Sequence, residues 1–308
     1  MSFTAADVKE LRESTGVGMM DCKKALTEAG GDKEKAIDWL REKGLAAQSK
    51  KAGKVTAEGV SFAMATEDGV GVILEVNSQT DFVSKNEVFQ GFVKDVATVV
   101  ATANPSDVEA LQQATYPGTD RTVNDVLADK VLSIGENINI RRFSRYTDGV
   151  SVGYVHMGGK IAVLINMAVE GISDMTSVNE LGKDLAMQIA AMNPTYLDES
   201  EVDAETAEKE KKILLAVMKE EKGNEGKTED ILNKMLTGRF NKYLKDICLT
   251  AQPYVKATEK NTTVASHVAA VGKAAGGTIK INSFVRFATG EGIEKEESDF
   301  AAEVASFL

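Results

Sequence analysis

One order of elements occurs twice in this chain, and that recurrence limits the possible folds more than any other feature. Residues 59–66 and 70–76 flank the turn Glu67-Asp68-Gly69, and Val70, Val72, Leu74 and Val76 alternate on one face, the pattern of an antiparallel hairpin. A helix is predicted from about Ser84, with Phe89, Val93, Val96 and Val100 as its apolar stripe, and a lone strand follows at 138–143. The same order then returns. A second hairpin spans 150–157 and 160–169 around Gly158-Gly159, a helix carries Val178, Leu181, Leu185 and Ile189, and a last strand runs over 281–287. Hairpins interleaved with helices point to the α+β class, here a duplicated unit built on small antiparallel sheets. A length of 308 residues is enough for about two such domains.

Three further pieces surround this repeat. Residues 1–50 read as three short helices. Thr4 and Asp7 can close a capping box with Phe3 stapled onto Val8, Gly16 stops the first helix, and Gly30-Gly31 stop a second that carries Met19, Cys22, Leu26 and Ala29. Asp32 caps the third, expected to run through Ala36, Ile37 and Leu40 to Gly44, before an exposed basic linker at 50–54. Within the second repeat, residues 202–222 and 228–250 are charged and helical on either side of Gly223-Asn224-Glu225-Gly226. Leu232, Leu236, Phe240, Tyr243 and Ile247 keep one face of the second arm apolar, so an antiparallel helical hairpin is expected, with an ordinary packed helix pair as the alternative. At the end, Phe300, Val304 and Leu308 share a helical face that should dock on something.

Most catalytic chemistries lack their residues here. There is no G-x-x-x-x-G-K-[ST] phosphate cradle, no G-x-S-x-G elbow and no H-E-x-x-H. Gly69-Val70-Gly71 and Gly290-Glu291-Gly292 are too short for a dinucleotide fingerprint and read as turns. Cys22 and Cys248 form no C-x-x-C pair, and His156 and His267 stand far apart, so neither a metal nor any other cofactor is expected. Free thiols, no run of about 18 apolar residues and a start without a leader pattern predict a cytoplasmic protein that engages no membrane. The net charge of −11 excludes a surface that grips nucleic acid as a whole. His156, in a predicted strand, fits a structural role better than a catalytic one.

What remains is Glu75-Val76-Asn77-Ser78-Gln79-Thr80-Asp81-Phe82-Val83-Ser84-Lys85, between a strand end and a helix start, where functional loops are commonly placed. Physics offers a plain account of it: Thr80 or Ser84 caps the helix, Asp81 favours its positive end, and Phe82 staples back onto the core. The segment also resembles a signature of the bacterial elongation factor Ts family, through Thr80-Asp81-Phe82-Val83. A second signature of that family is present over residues 11–26, from Leu11-Arg12-Glu13 through Val17-Gly18-Met19-Met20-Asp21-Cys22-Lys23. Similarity continues at Ile134-Gly135-Glu136-Asn137-Ile138-Asn139-Ile140-Arg141-Arg142 and at Gly290-Glu291-Gly292-Ile293-Glu294-Lys295, and is thinnest near 103–130 and 256–278.

The resemblance implies a guanine-nucleotide exchange factor for elongation factor Tu, with no active site of its own and no direct contact with nucleic acid. It implies an N-terminal ubiquitin-associated-like three-helix module over 1–53, a core in two parts over 54–147 and 148–289, a coiled-coil hairpin inserted at about 202–250, and a C-terminal module over 290–308. Carried over by position, Thr80, Asp81, Phe82 and Val83 would disturb the partner's magnesium and phosphate site. Arg12, Met19, Met20 and Lys23 would touch its G domain, and Ile134, Gly135 and His156 would add contacts from the core. Two other readings stay open on residues alone: a scaffold built on the N-terminal helices, and an acid–base enzyme using core carboxylates.

Overall fold

The computed structural model describes residues 3–294, so the helix expected around Phe300, Val304 and Leu308 lies outside the described residues. Three helices open the chain: α1 (Ala5–Thr15), α2 (Met19–Glu28) and α3 (Lys33–Lys51). The capping box at Thr4 and Asp7 forms, Gly16 ends α1 in the left-handed conformation (φ 68°), and Asp32 caps α3. Val8, Leu11, Cys22, Ala25, Leu26, Ala36 and Leu40 make a small core between them, with Phe3 packed at its edge.

The third helix overruns its expected end at Gly44 by two turns. Gly44 serves there as a point of close approach to a neighbouring helix, α7 (Val123–Ile134). An added Cβ would stand 3.2 Å from the Ala128 carbonyl oxygen, a tight contact, so the missing side chain eases this close approach of the two backbones. Lys50 and Lys51, read from sequence as linker, form the last turn of α3, where cations are favoured, and the Lys51 ammonium donates to the Gly135 carbonyl.

The core is mixed, with helices around two small antiparallel sheets. The first sheet contains β1 (Glu58–Ala65), β2 (Gly71–Ser78) and β3 (Ile138–Tyr146) in the order β1-β2-β3. Between β2 and β3 lie the single turn α4 (Asp81–Ser84), then α5 (Glu87–Ala103), α6 (Val108–Gln113) and α7. The second sheet has the order β4-β5-β6, from β4 (Val150–His156), β5 (Ile161–Glu170) and β6 (Thr278–Ala288). Between β5 and β6 run α8 (Thr176–Met192), α9 (Ala204–Glu220), α10 (Glu229–Ile247) and α11 (Val264–Ala274).

Even the irregularities recur. Register slips between Glu75 and Val76 where β2 meets β3, leaving Arg141 as the extra residue, and between Asn166 and Met167 where β5 meets β6, leaving Asn282 as the extra one. Each bulge surrounds a buried polar side chain, Glu75 in one sheet and Asn166 in the other.

Alternation along β2 predicts one dry face, yet the whole strand is buried. Val72, Leu74 and Val76 face the core shared with Phe89, Val93, Val96 and Val100 of α5. Ile73, on the opposite side, packs with Ala63, Ala162, Leu164 and Phe287, because the second sheet lies directly against the first. Gly153 permits that contact: a Cβ there would lie 2.8 Å from the Ala63 backbone. Beyond the second sheet, Val163, Ile165 and Met167 meet Val178, Leu181, Leu185 and Ile189 of α8. The core is therefore four layers deep, helices outside and two sheets within.

Polar links also cross the inner interface. Glu75 accepts from Arg141 Nη1 (3.0 Å), Arg142 Nε (2.6 Å), the Asn77 amide (2.9 Å) and the Gly290 N–H (2.8 Å), the last supplied from beyond β6. The bulge at Arg141 lets two successive arginines reach one carboxylate, which a regular strand would forbid. Burial alone would raise this carboxyl's pKa, but those four bonds outweigh it and hold it below the ordinary glutamate value.

The arms α9 and α10 pack on each other through Phe240, with the Lys211 ammonium 4.9 Å from its ring centre, and a bidentate Arg239–Glu221 pair (2.7 and 2.6 Å) locks the turn end. Cys22 and Cys248 are buried free thiols, and burial pushes Cys248 up to about 11. Thiol titration should therefore find both in denaturant and neither reacting promptly with a disulfide reagent in the native chain near pH 8. Prompt native reaction would mean these helices open readily.

Candidate functional site

The loop singled out from sequence begins where β2 leaves the sheet at Ser78. Ser78 Oγ donates to the Thr80 carbonyl (3.0 Å), bending the chain into the single turn α4. Successive helical positions point about 100° apart, so one turn cannot bury both Phe82 and Val83. Val83 takes the inward direction and is buried in the first core, while Phe82 is 78% exposed. The expectation that Phe82 staples back onto the core fails for that reason, and so does a surface role for the Val83 side chain.

Several bonds hold the turn in place. Ser84 Oγ donates to the Asp81 carbonyl (2.6 Å), and the Gln90 side chain of α5 donates to the Ser84 carbonyl (3.0 Å). The long helix does not start at Ser84. Asn86 breaks the path and caps α5 from Glu87, accepting from Val88 N–H (2.8 Å). Asp81 is half-buried, and Lys85 stands 3.4 Å from its carboxylate at the next helical position. Thr80 occupies the N-cap position but makes no cap bond, because its hydroxyl is directed to Glu136 (2.6 Å).

That bond brings a second predicted group alongside the first. Ile134 ends α7 and is partly packed in the first core, and Gly135 closes the helix with φ 86°. Glu136 and Asn137 then reach across to Thr80 and Gln79. His156 lies elsewhere, at the end of β4, its Nδ1 2.9 Å from the Tyr154 hydroxyl. Its neighbour Met157 is 74% exposed with φ 49°, an unusual conformation for a side chain that size. Between this corner and α5 lies a small cavity of about 180 Å³, lined among others by Val60, Phe62, Gln90, Val155 and Gly158.

Arg12, Met19, Met20 and Lys23 are all exposed, at the end of α1 and the start of α2. Cys22, Ala25 and Leu26 fill the inward face of α2, which turns Met20 (75% exposed) and Lys23 outward together. Sequence reasoning does not single out Glu136 or Met157. The positive φ that marks Met157 has no one-letter signal.

No group of three or more His, Cys, Asp or Glu side chains converges into a metal site among the described residues. No described helix is long and apolar enough to cross a membrane. The site offers an exposed aromatic ring on an anchored turn, a chemistry of contact.

Comparison with known proteins supplies the family. The family model for elongation factor TS matches residues 79–291, which include the exposed turn and both sheets' helices. Elongation factor Ts of Clostridium perfringens is 49% identical over 306 residues, covering 98% of each chain. That of Clostridioides difficile is 49% identical over 309 residues, covering 100% of this chain and 99% of its own. The Magnetococcus marinus protein is 46% identical over 311 residues with the same coverage. With identity of that order sustained along its whole length, the chain belongs to the elongation factor Ts family of translation elongation factors.

Proposed function

We propose that this chain is the guanine-nucleotide exchange factor of elongation factor Tu: it binds the GDP form and promotes GDP release without any reaction at a site of its own. The observation that carries the proposal is Phe82, a large apolar ring kept in water at the tip of a turn held in place by the bonds of Ser78, Ser84 and Gln90. Burying it in a partner gains roughly 1.5–3 kcal/mol. Magnesium tolerates little distortion of its octahedral shell, so a wedge that moves the partner's magnesium ligands loosens the nucleotide. Asp81 and Thr80 work beside the ring, and Val83 anchors the turn from within. Linkage requires the effect to be reciprocal, so the factor speeds exchange in both directions and the excess of GTP supplies the direction.

The remaining parts fall into place around that wedge. The three N-terminal helices act as a ubiquitin-associated-like module whose Arg12, Met19, Met20 and Lys23 supply affinity. Ile134, Gly135 and His156 extend the contact from the core, with the α9–α10 hairpin as the inserted coiled coil. We place the working boundaries at 1–53, 54–147, 148–289 and 290–308, and the site of action in the cytoplasm.

Stopped-flow release of a fluorescent GDP from elongation factor Tu tests the reading. The chain should accelerate release steeply, and an unchanged rate would leave only a scaffold. A companion variant separates affinity from action. Met20→Ala with Lys23→Glu should raise the half-saturating concentration about tenfold and leave the maximal rate intact. A fall in the maximal rate alone would show that the N-terminal face takes part in release itself.

A further inference from the structure

Thr80 immediately precedes Asp81 and Phe82, and both of its donors go to one carboxylate. Its N–H donates to Glu136 Oε2 (3.0 Å) and its hydroxyl to Glu136 Oε1 (2.6 Å), although the two residues are 56 positions apart. A bidentate, charge-assisted pair of this kind fixes direction as well as distance. The next residues repeat the grip: Asn137 N–H donates to Gln79 Oε1 (2.8 Å), and the Asn137 amide donates to the Lys54 carbonyl (2.9 Å). Lys51, at the end of α3, holds the Gly135 carbonyl just behind.

A four-residue helix is too short to set its own orientation. With Thr80 drawn away from capping, the aim of Phe82 depends on what holds the base of α4, and at Thr80 that is Glu136. We infer that Glu136 is a positioning residue for nucleotide exchange: it meets the partner through Thr80 alone, presetting the exposed turn so that Phe82 arrives already aimed. This inference rests on the exchange-factor reading above. It assigns the Gly135-Glu136-Asn137 corner a role in the maximal rate, since a loose turn can still be docked by the N-terminal face yet wedges poorly.

The test measures fluorescent GDP release from elongation factor Tu over a range of concentrations of the full chain. Glu136→Ala should lower the maximal rate about tenfold while the half-saturating concentration and the melting temperature stay near those of the parent. Thr80→Val should act in the same direction, and the double variant should be no slower than the worse single one, as for two halves of one interaction. Glu136→Gln, which can still accept from the Thr80 N–H, should recover most of the rate. If Glu136→Ala melts early, the other two variants decide: a slow Glu136→Gln or a normal maximal rate for Thr80→Val overturns the inference. A normal maximal rate for Glu136→Ala beside a slow Phe82→Ala also overturns it and leaves the exchange reading standing. A normal rate for Phe82→Ala ends the wedge account and the inference with it, whereas only a parent chain that fails to accelerate release removes the exchange reading.

Discussion

Phe82→Ala should melt at the temperature of the parent chain and release GDP from elongation factor Tu about thirtyfold more slowly. Truncating a core aromatic costs about 3–5 kcal/mol. Phe82 is 78% exposed, so almost none of that cost applies to the free protein. In a complex the same ring is worth about 2 kcal/mol or more if it fills a partner pocket, which is the source of the rate loss. Asp81→Ala should slow release in the same direction. Thermal melting of each variant alone, set beside its release kinetics, checks both halves of the expectation. A large drop in melting temperature with normal release would return Phe82 to the fold and end the wedge account.

The largest loss of stability is expected at Glu75. Glu75→Ala leaves Arg141 and Arg142 facing each other without their shared carboxylate and strands the Gly290 N–H. Removing one partner of a buried ion pair costs about 3–5 kcal/mol. Glu75→Gln, which keeps shape and part of the bonding, should cost less. The pH dependence has a definite sign. The folded carboxyl titrates below its unfolded value, so its contribution is complete above the ordinary glutamate pKa of about 4.3 and is lost as pH falls through the lower folded value. Denaturant melts of parent and Glu75→Gln should accordingly differ most near neutrality and converge in acid. A gap that stays constant down to pH 2 would show that the carboxylate's charge is not what matters.

The repeat could be read in advance because each half declares itself locally. Val72, Leu74 and Val76 alternate, Val178 to Ile189 keep helical spacing, and glycines mark the turns. The covering of the second sheet face was not legible, since Ile73 and Leu164 look the same whether they meet water or another sheet. Helix ends were misplaced where tertiary contact overrode local chemistry. Gly44 reads as a stop signal until a partner helix needs its missing side chain, and Ser84 reads as a cap until Asn86 takes that role. Sequence located the exposed turn but not its pose. A one-turn helix carries too few residues to show which of Phe82 and Val83 faces inward. Glu136 could not be singled out because its partner stands in a distant segment, and ordinary carboxylates carry no mark of their company.

The unbroken run of α3 has a mechanical consequence. Leu40 is buried in the N-terminal cluster, against which Leu132 of α7 also packs, and Gly44 abuts Ala128 of the core, so one continuous stretch of helix runs through both contacts. Such a connection behaves as a keyed shaft. One residue gained or lost between Leu40 and Gly44 would swing the Met20 and Lys23 surface through about 100° around the shaft while moving it only about 1.5 Å along it. The bearing of that surface relative to Phe82 is therefore a matter of phase, which length changes in a flexible tether would leave untouched.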